Sequence, residues 1–196
     1  MANFAIMGFG TVGSGVAEVL RMNAASIAEK LGEPLNLKYI LDVRDLSATP
    51  YGEIAVKDFS VLENDPDLDV VVESIGGAKV ALEFTRRALL AGKHVVTSNK
   101  ELVASYGKEL LNIAREKNVN YLFEASVGGG IPVLRPLFQC LAGNQIEEVV
   151  GILNGTTNYI LTRMVKGGVS FEDALKEAQA KGYAEQNPAA DVEGLD

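Results

Sequence analysis

Short apolar runs alternate along this chain with longer stretches whose apolar positions recur every three or four residues. Phe4-Ala5-Ile6-Met7 predicts a first strand, and Thr11 to Leu31 predicts a helix with Val12, Val16, Val19 and Leu20 on one face. Gly32 is the stop signal of that helix. Leu37 to Val43 is the second strand. The turn signal Asn64-Asp65-Pro66-Asp67 leads into a further strand from Asp69 to Glu73. Ala78 to Ala91 predicts a helix closed by Gly92, followed by a strand from Lys93 to Thr97. Glu101 to Lys117 predicts another helix, in which Tyr106-Gly107 weakens the first turn. Asn120 to Phe123 is the strand that delivers Glu124. Strand and helix in alternation predict an α/β fold, a parallel sheet covered by helices.

The pattern changes at Ser126-Val127-Gly128-Gly129-Gly130-Ile131-Pro132, a glycine run closed by proline. A domain boundary is expected there, giving one domain over residues 1–125 and a second over 126–196. In the second, Val149 to Leu153 is a strand candidate, and Asn158 to Lys166 and Ser170 to Lys181 are helix candidates. Ser170 with Asp173 makes a capping box, and Gly182 is a C-terminal stop. The tail from Tyr183 to Asp196 has no strong periodicity.

Composition narrows the function classes. The chain has 196 residues, of which 47% are hydrophobic and 22% charged, as in ordinary globular proteins. No apolar run is long enough for a transmembrane helix, and the first residues run from strand into glycines without the basic start of a signal peptide. The net charge of −8 argues against nucleic acid, which needs a basic face, but not against an anionic cofactor held by backbone amides. Cys140 is the single cysteine, so no internal disulfide is possible and a cytoplasmic location is expected. Its setting in Leu137-Phe138-Gln139-Cys140-Leu141 predicts a small buried apolar residue. His94, the single histidine, opens an apolar strand and reads as structural. With no Cys/His cluster, a zinc site is not expected.

Gly8-Phe9-Gly10-Thr11-Val12-Gly13 fits G-x-G-x-x-G between a strand and a helix, the context that nucleotide binding requires. Gly8 permits the tight turn, Gly10 lets a pyrophosphate approach the backbone, and Gly13 lets the helix pack closely on the strand. The free N–H groups of the helix then face the phosphates. A Rossmann-type unit holding NAD or NADP is therefore expected. At the end of the second strand, Asp42 can accept from both ribose hydroxyls, favouring NAD. Arg44 can pair with a 2′-phosphate, favouring NADP. The balance leans slightly to NADP.

Further motifs follow in order: Ser98-Asn99-Lys100, Glu124 to Pro132, Asn154-Gly155-Thr156-Thr157-Asn158, Gly182-Tyr183-Ala184-Glu185, and Asp191-Val192-Glu193-Gly194-Leu195-Asp196. Together with the glycine turn they resemble homoserine dehydrogenase along the whole chain. The resemblance implies NAD(P)H-dependent reduction of aspartate 4-semialdehyde to homoserine, a step toward threonine and methionine. It implies a Rossmann-type doubly wound parallel sheet followed by an incomplete α+β substrate and dimerisation domain.

The resemblance also implies site residues. Gly8, Phe9, Gly10, Thr11, Val12, Gly13, Arg44, Asn99, Lys100 and Gly182 would contact the cofactor, Asn99 offering its amide to ribose or nicotinamide. Lys100 would stand beside the reacting carbon, where its ammonium can steady a developing alkoxide. Glu185 and Asp196 would hold the substrate's amino group, since an ammonium calls for carboxylates. Glu124, Val127, Gly129 and Ile131 would form a sodium site of hard oxygen ligands. The family's principal catalytic lysine would fall four residues after Asp196, beyond this chain, so an N-terminal portion without useful turnover is expected. The full-length protein is expected to be a homodimer. Two other classes compete. One is an aldehyde-phosphorylating dehydrogenase using Cys140, which would need a base near that thiol. The other is a dinucleotide-binding module without catalysis.

Overall fold

The computed structural model describes residues 1–151, 153–184 and 188–194. The chain divides into two compact units, Met1–Ala142 and Gly143–Asp196. The boundary expected after Ala125 therefore falls inside the first unit.

The first unit is built on six parallel strands: β1 Ala2–Met7, β2 Leu35–Leu41, β3 Ala55–Val56, β4 Val70–Glu73, β5 His94–Thr97 and β6 Tyr121–Leu122, in the order β3-β2-β1-β4-β5-β6. Five helices connect them: α1 Thr11–Met22, α2 Ala24–Leu31, α3 Ser60–Glu63, α4 Lys79–Leu90 and α5 Lys100–Glu116. Residues alternate across the strands, so Phe4 and Ile6 lie on one face and Ala5 and Met7 on the other. The first pair packs on Ala17, with Val16 and Leu20 of α1 against it. The second pair joins Val71 and Val95 under Ala81, Ala88 and Leu89 of α4 and Leu102, Leu110 and Ala114 of α5. Two-sided burial is why these strands read as continuous apolar runs.

Three expectations change in this unit. The single helix from Thr11 to Leu31 is two, joined at Asn23, whose backbone leaves helical geometry (φ −106°, ψ 16°) while its side-chain amide and its own N–H both donate to the Val19 carbonyl, at 2.8 and 3.1 Å. Tyr106-Gly107 does not weaken α5, which runs through a buried Gly107. Two-residue β3 was not foreseen, since so short a strand carries no periodicity.

The second unit contains α6 Gly155–Gly167, α7 Phe171–Ala180 and α8 Ala189–Val192. Ala174 and Ala178 on α7 are small enough to let Ile160 of α6 seat against them. Ser170 caps α7 by accepting the Asp173 N–H at 3.1 Å, and its hydroxyl donates to the Asp173 carboxylate at 2.8 Å. The strand expected at Val149 to Leu153 does not form over its described residues, among which Val150 is 85% exposed. A strand needs a neighbour for its backbone groups, and none pairs there.

Candidate functional site

The strand order reverses between β1 and β4, and ligands in open α/β sheets sit at the carboxyl ends of the strands flanking such a switch. The glycine turn stands there. Gly8 has φ +89°, and a Cβ on it would lie 2.7 Å from the Ser74 carbonyl oxygen. A Cβ on Gly13 would lie 2.0 Å from the carbonyl oxygen of Gly8, so helix and strand approach as closely as the backbone allows. A Cβ on Gly10 would meet nothing within 4 Å. That side of the turn is open. Gly10 caps α1 without any side chain, and the first turn of α1 holds no acid, so no side-chain cap or acid of this turn occupies its first N–H groups, the arrangement in which a helix terminus can receive an anion. Thr11 and Val12 are exposed beside it, and the Phe9 ring meets Tyr51 edge-on at 5.2 Å.

Asp42 and Arg44, read from sequence as rival ribose readers, are paired. Arg44 donates to Asp42 through Nε at 2.9 Å and through a terminal nitrogen at 2.8 Å. The Asp42 carboxylate also accepts the backbone N–H of Phe9 at 2.7 Å. These donors, the guanidinium foremost, hold its carboxyl well below the usual carboxylate range. Its oxygens are thus already engaged, while the Arg44 side chain is 57% exposed. Lys57 follows β3, whose Val56 carbonyl accepts the Asp42 N–H at 3.2 Å, and brings a second exposed cation to this edge. The sequence reading passed over it because β3 was not expected.

Asn99 caps α5, its Oδ1 accepting the Leu102 N–H at 3.0 Å. Its amide nitrogen donates to the carbonyls of Ile75 at 3.2 Å and Gly77 at 2.9 Å. That side chain therefore holds two turns together. Lys100, exposed at the first position of α5, is presented at the end of β5. Glu73, Ser74 and Thr97 were also missed as parts of this edge. A carboxylate closing the apolar run Val70-Val71-Val72-Glu73 was the available signal.

Glu124 departs from expectation. Its carboxylate accepts the backbone N–H groups of Val133, Leu134 at 2.8 Å and Arg135 at 2.7 Å, which keep its pKa low. It caps the backbone ahead of the π-helical turn Pro136–Cys140. Both oxygens are engaged by amides. The sodium site expected from Glu124, Val127, Gly129 and Ile131 gains no support from this arrangement. Cys140 is exposed, not buried, because the segment around it packs on little else. His94 is structural as read: its Nδ1 accepts the Asn120 N–H at 2.9 Å and ties the start of β6 to β5.

In the second unit the motif residues knit together. Asn154 caps α6 through the Thr157 N–H at 2.7 Å and donates to Asp191 at 2.7 Å. The Thr156 hydroxyl donates to the Tyr183 carbonyl at 2.6 Å. Gly182, with φ +73°, ends α7. Glu185 and Asp196 lie outside the described residues.

The sheet order, the three glycine roles and the open α1 terminus define a dinucleotide-binding Rossmann domain. The family model for the homoserine dehydrogenase NAD-binding domain matches residues 8–124, and that for homoserine dehydrogenase matches 132–196. The chain belongs to the homoserine dehydrogenase family. It is 45% identical over 196 residues to the homoserine dehydrogenase of Neisseria gonorrhoeae, covering 99% of this chain and 45% of that protein. Against the Bacillus subtilis homoserine dehydrogenase the identity is 44%, covering 97% of this chain and 45% of the relative. The structure superposes on the Thiobacillus denitrificans homoserine dehydrogenase with a TM-score of 0.91 at 42% identity, covering 99% of this chain and 46% of that one. A hyperthermophilic archaeal homoserine dehydrogenase solved in complex with NADPH gives 0.86 at 30% identity, covering 99% and 65%. The chain thus spans about half the length of the curated relatives it matches.

Proposed function

We propose that this chain holds NAD(P), with a preference for NADP, and serves an enzyme that reduces aspartate 4-semialdehyde to homoserine. The observation that carries the cofactor reading is the empty space over Gly10 at an uncapped helix terminus. The exposed cations Arg44 and Lys57 at the end of β2 and β3 favour a 2′-phosphate. The NADPH complex of the archaeal relative agrees with this choice. The substrate reading rests on family membership and on the Asn154 to Asn158 and Gly182 to Glu185 motifs.

Bound nicotinamide supplies the hydride. The chain's own residues bind and orient. The α1 N–H groups neutralise the pyrophosphate, and Lys100 at the end of β5 supplies positive charge where an alkoxide develops. Glu185 and Asp196 fix the substrate ammonium through charge-assisted bonds. The same reading places the full-length protein as a cytoplasmic homodimer on the route to threonine and methionine.

Titration of this chain with NADPH, followed by cofactor fluorescence, tests the cofactor reading. Saturable binding that a Gly10→Val variant abolishes is the expected result, and binding unaffected by that change would refute it. In the full-length protein, Glu185→Ala should remove the protection that homoserine gives against thermal unfolding. An absence of any homoserine effect would overturn the substrate reading.

A further inference from the structure

Glu73 closes β4 with its side chain fully buried. Burying a carboxylate is costly unless donors replace its water. Here the donors are neutral and come from two directions. One oxygen accepts the Ile75 N–H at 2.7 Å, and the other accepts the hydroxyl of Thr97 on neighbouring β5. The Thr97 oxygen in turn accepts the Asn99 N–H at 2.9 Å. Asn99 returns its amide to the Ile75 and Gly77 carbonyls and caps α5, whose first residue is Lys100. The loop of bonds closes on itself.

The adjacent residue extends it the other way. The Ser74 hydroxyl donates to the Gly8 carbonyl at 2.8 Å and lies within 3.1 Å of the Met7 carbonyl. Residues 73–75 therefore grip the glycine turn on one side and the β5–α5 turn on the other. Burial pushes the Glu73 carboxyl up and, with it, the Tyr121 hydroxyl, which is buried without a hydrogen-bond partner. A neutral apolar residue at position 73 would avoid the desolvation, but it could not accept from both turns at once.

We propose that Glu73 and Thr97 are a positioning pair that fixes the β5–α5 turn against the glycine turn, and so sets the nicotinamide end of the cofactor site. This rests on the NAD(P) reading above. Neither side chain touches the cofactor; both act through Asn99 and the backbone of residues 98–100. The glycine turn is held on this side by the Ser74 hydroxyl, whose bonds to Met7 and Gly8 do not pass through the Glu73 or Thr97 side chains. The consequence is a split. Loss of the pair weakens ligands that carry a nicotinamide half and spares those that lack it.

The test compares NADPH with 2′,5′-ADP, which keeps the phosphorylated adenosine end and has no nicotinamide. Binding of both is measured on this chain and on its Thr97→Val, Thr97→Ser and Glu73→Gln variants, with thermal unfolding recorded for each. Thr97→Val and Glu73→Gln should lose about tenfold in NADPH affinity, the scale of a hydrogen bond to a charged group. Their 2′,5′-ADP affinity should stay within about twofold, a change too small to count as a lost bond. Thr97→Ser, which keeps the hydroxyl, should restore NADPH binding. Should Thr97→Val fail to fold, the near-isosteric Glu73→Gln carries the comparison. Parent-like NADPH affinity in Glu73→Gln overturns the proposal, as does an equal loss for both ligands. If the parent chain binds neither ligand, the cofactor reading itself fails and this proposal with it.

Discussion

The carboxylate of Asp42 accepts the backbone N–H of Phe9 at 2.7 Å, joining the end of β2 to the middle of the glycine turn. The acid at the usual ribose position therefore also shapes the pyrophosphate loop. Because its folded pKa is depressed, it contributes stability above the unfolded carboxylate value, about 3.9, and that contribution is lost as pH falls through the folded value. Asp42→Asn should be less stable than the parent at neutral pH. Urea unfolding as a function of pH should show the gap beginning to close below about pH 4, where the unfolded chain takes up the proton that the folded parent still refuses.

Gly10 and Gly13 should separate binding from folding. Gly10→Ala meets open space at an ordinary φ of −73°, so its melting temperature should match the parent while NADPH affinity drops. Gly13→Ala drives a Cβ to 2.0 Å from the Gly8 carbonyl oxygen. It should cost about 1–3 kcal/mol, the usual range for overpacking, in denaturant unfolding.

Arg44→Ala should change coenzyme choice. Removing the exposed guanidinium takes away a partner for the 2′-phosphate and frees Asp42 to meet ribose hydroxyls. The ratio of NADPH to NADH affinity should fall about tenfold or more, the scale of a charge-assisted bond. Parallel titrations with the two coenzymes read this directly, and an unchanged ratio would exclude Arg44 as the reader.

Glu177 ties α7 to α6. It accepts from Lys181 at 2.7 Å and from Arg163 at 2.8 Å, and with Tyr159 these donors push its pKa down to about 2. The sign is that of a depressed acid: the stabilisation is present at neutral pH and fades as pH falls toward about 2. Glu177→Gln should loosen the α6–α7 pair at pH 7 and match the parent in strong acid, as followed by hydrogen exchange of α7 amides.

Much of the first unit was legible because its signals are local. Phe4 to Met7, the three glycines and the amphipathic start of α1 sit next to one another, and the turn geometry depends on little else. What escaped depended on partners far along the chain. Asp42 and Arg44 could be weighed only as alternatives until the fold set Phe9 against the first of them. Glu124 offered the right chemistry for a cation, but the amides that occupy it come from residues 133–135, which a glycine run does not announce. Asn23 looked like any polar helix position until its amide reached the Val19 carbonyl. Val149 and Val150 have strand-forming side chains and no strand beside them. Position 140 followed the burial habit of cysteine, and the surroundings did not supply the burial.

The position of β1 bears on how the chain is made. Its residues 2–7 are translated before either of its neighbours, yet the strand lies inside the sheet, with β2 on one edge and β4, residues 70–73, on the other. At about 5–20 residues per second, several seconds separate the synthesis of β1 from that of its second neighbour. During that interval Phe4-Ala5-Ile6-Met7 is an apolar strand with one open edge on a growing ribosome-bound chain. Protection by a chaperone would have its greatest effect there, before Glu73 emerges.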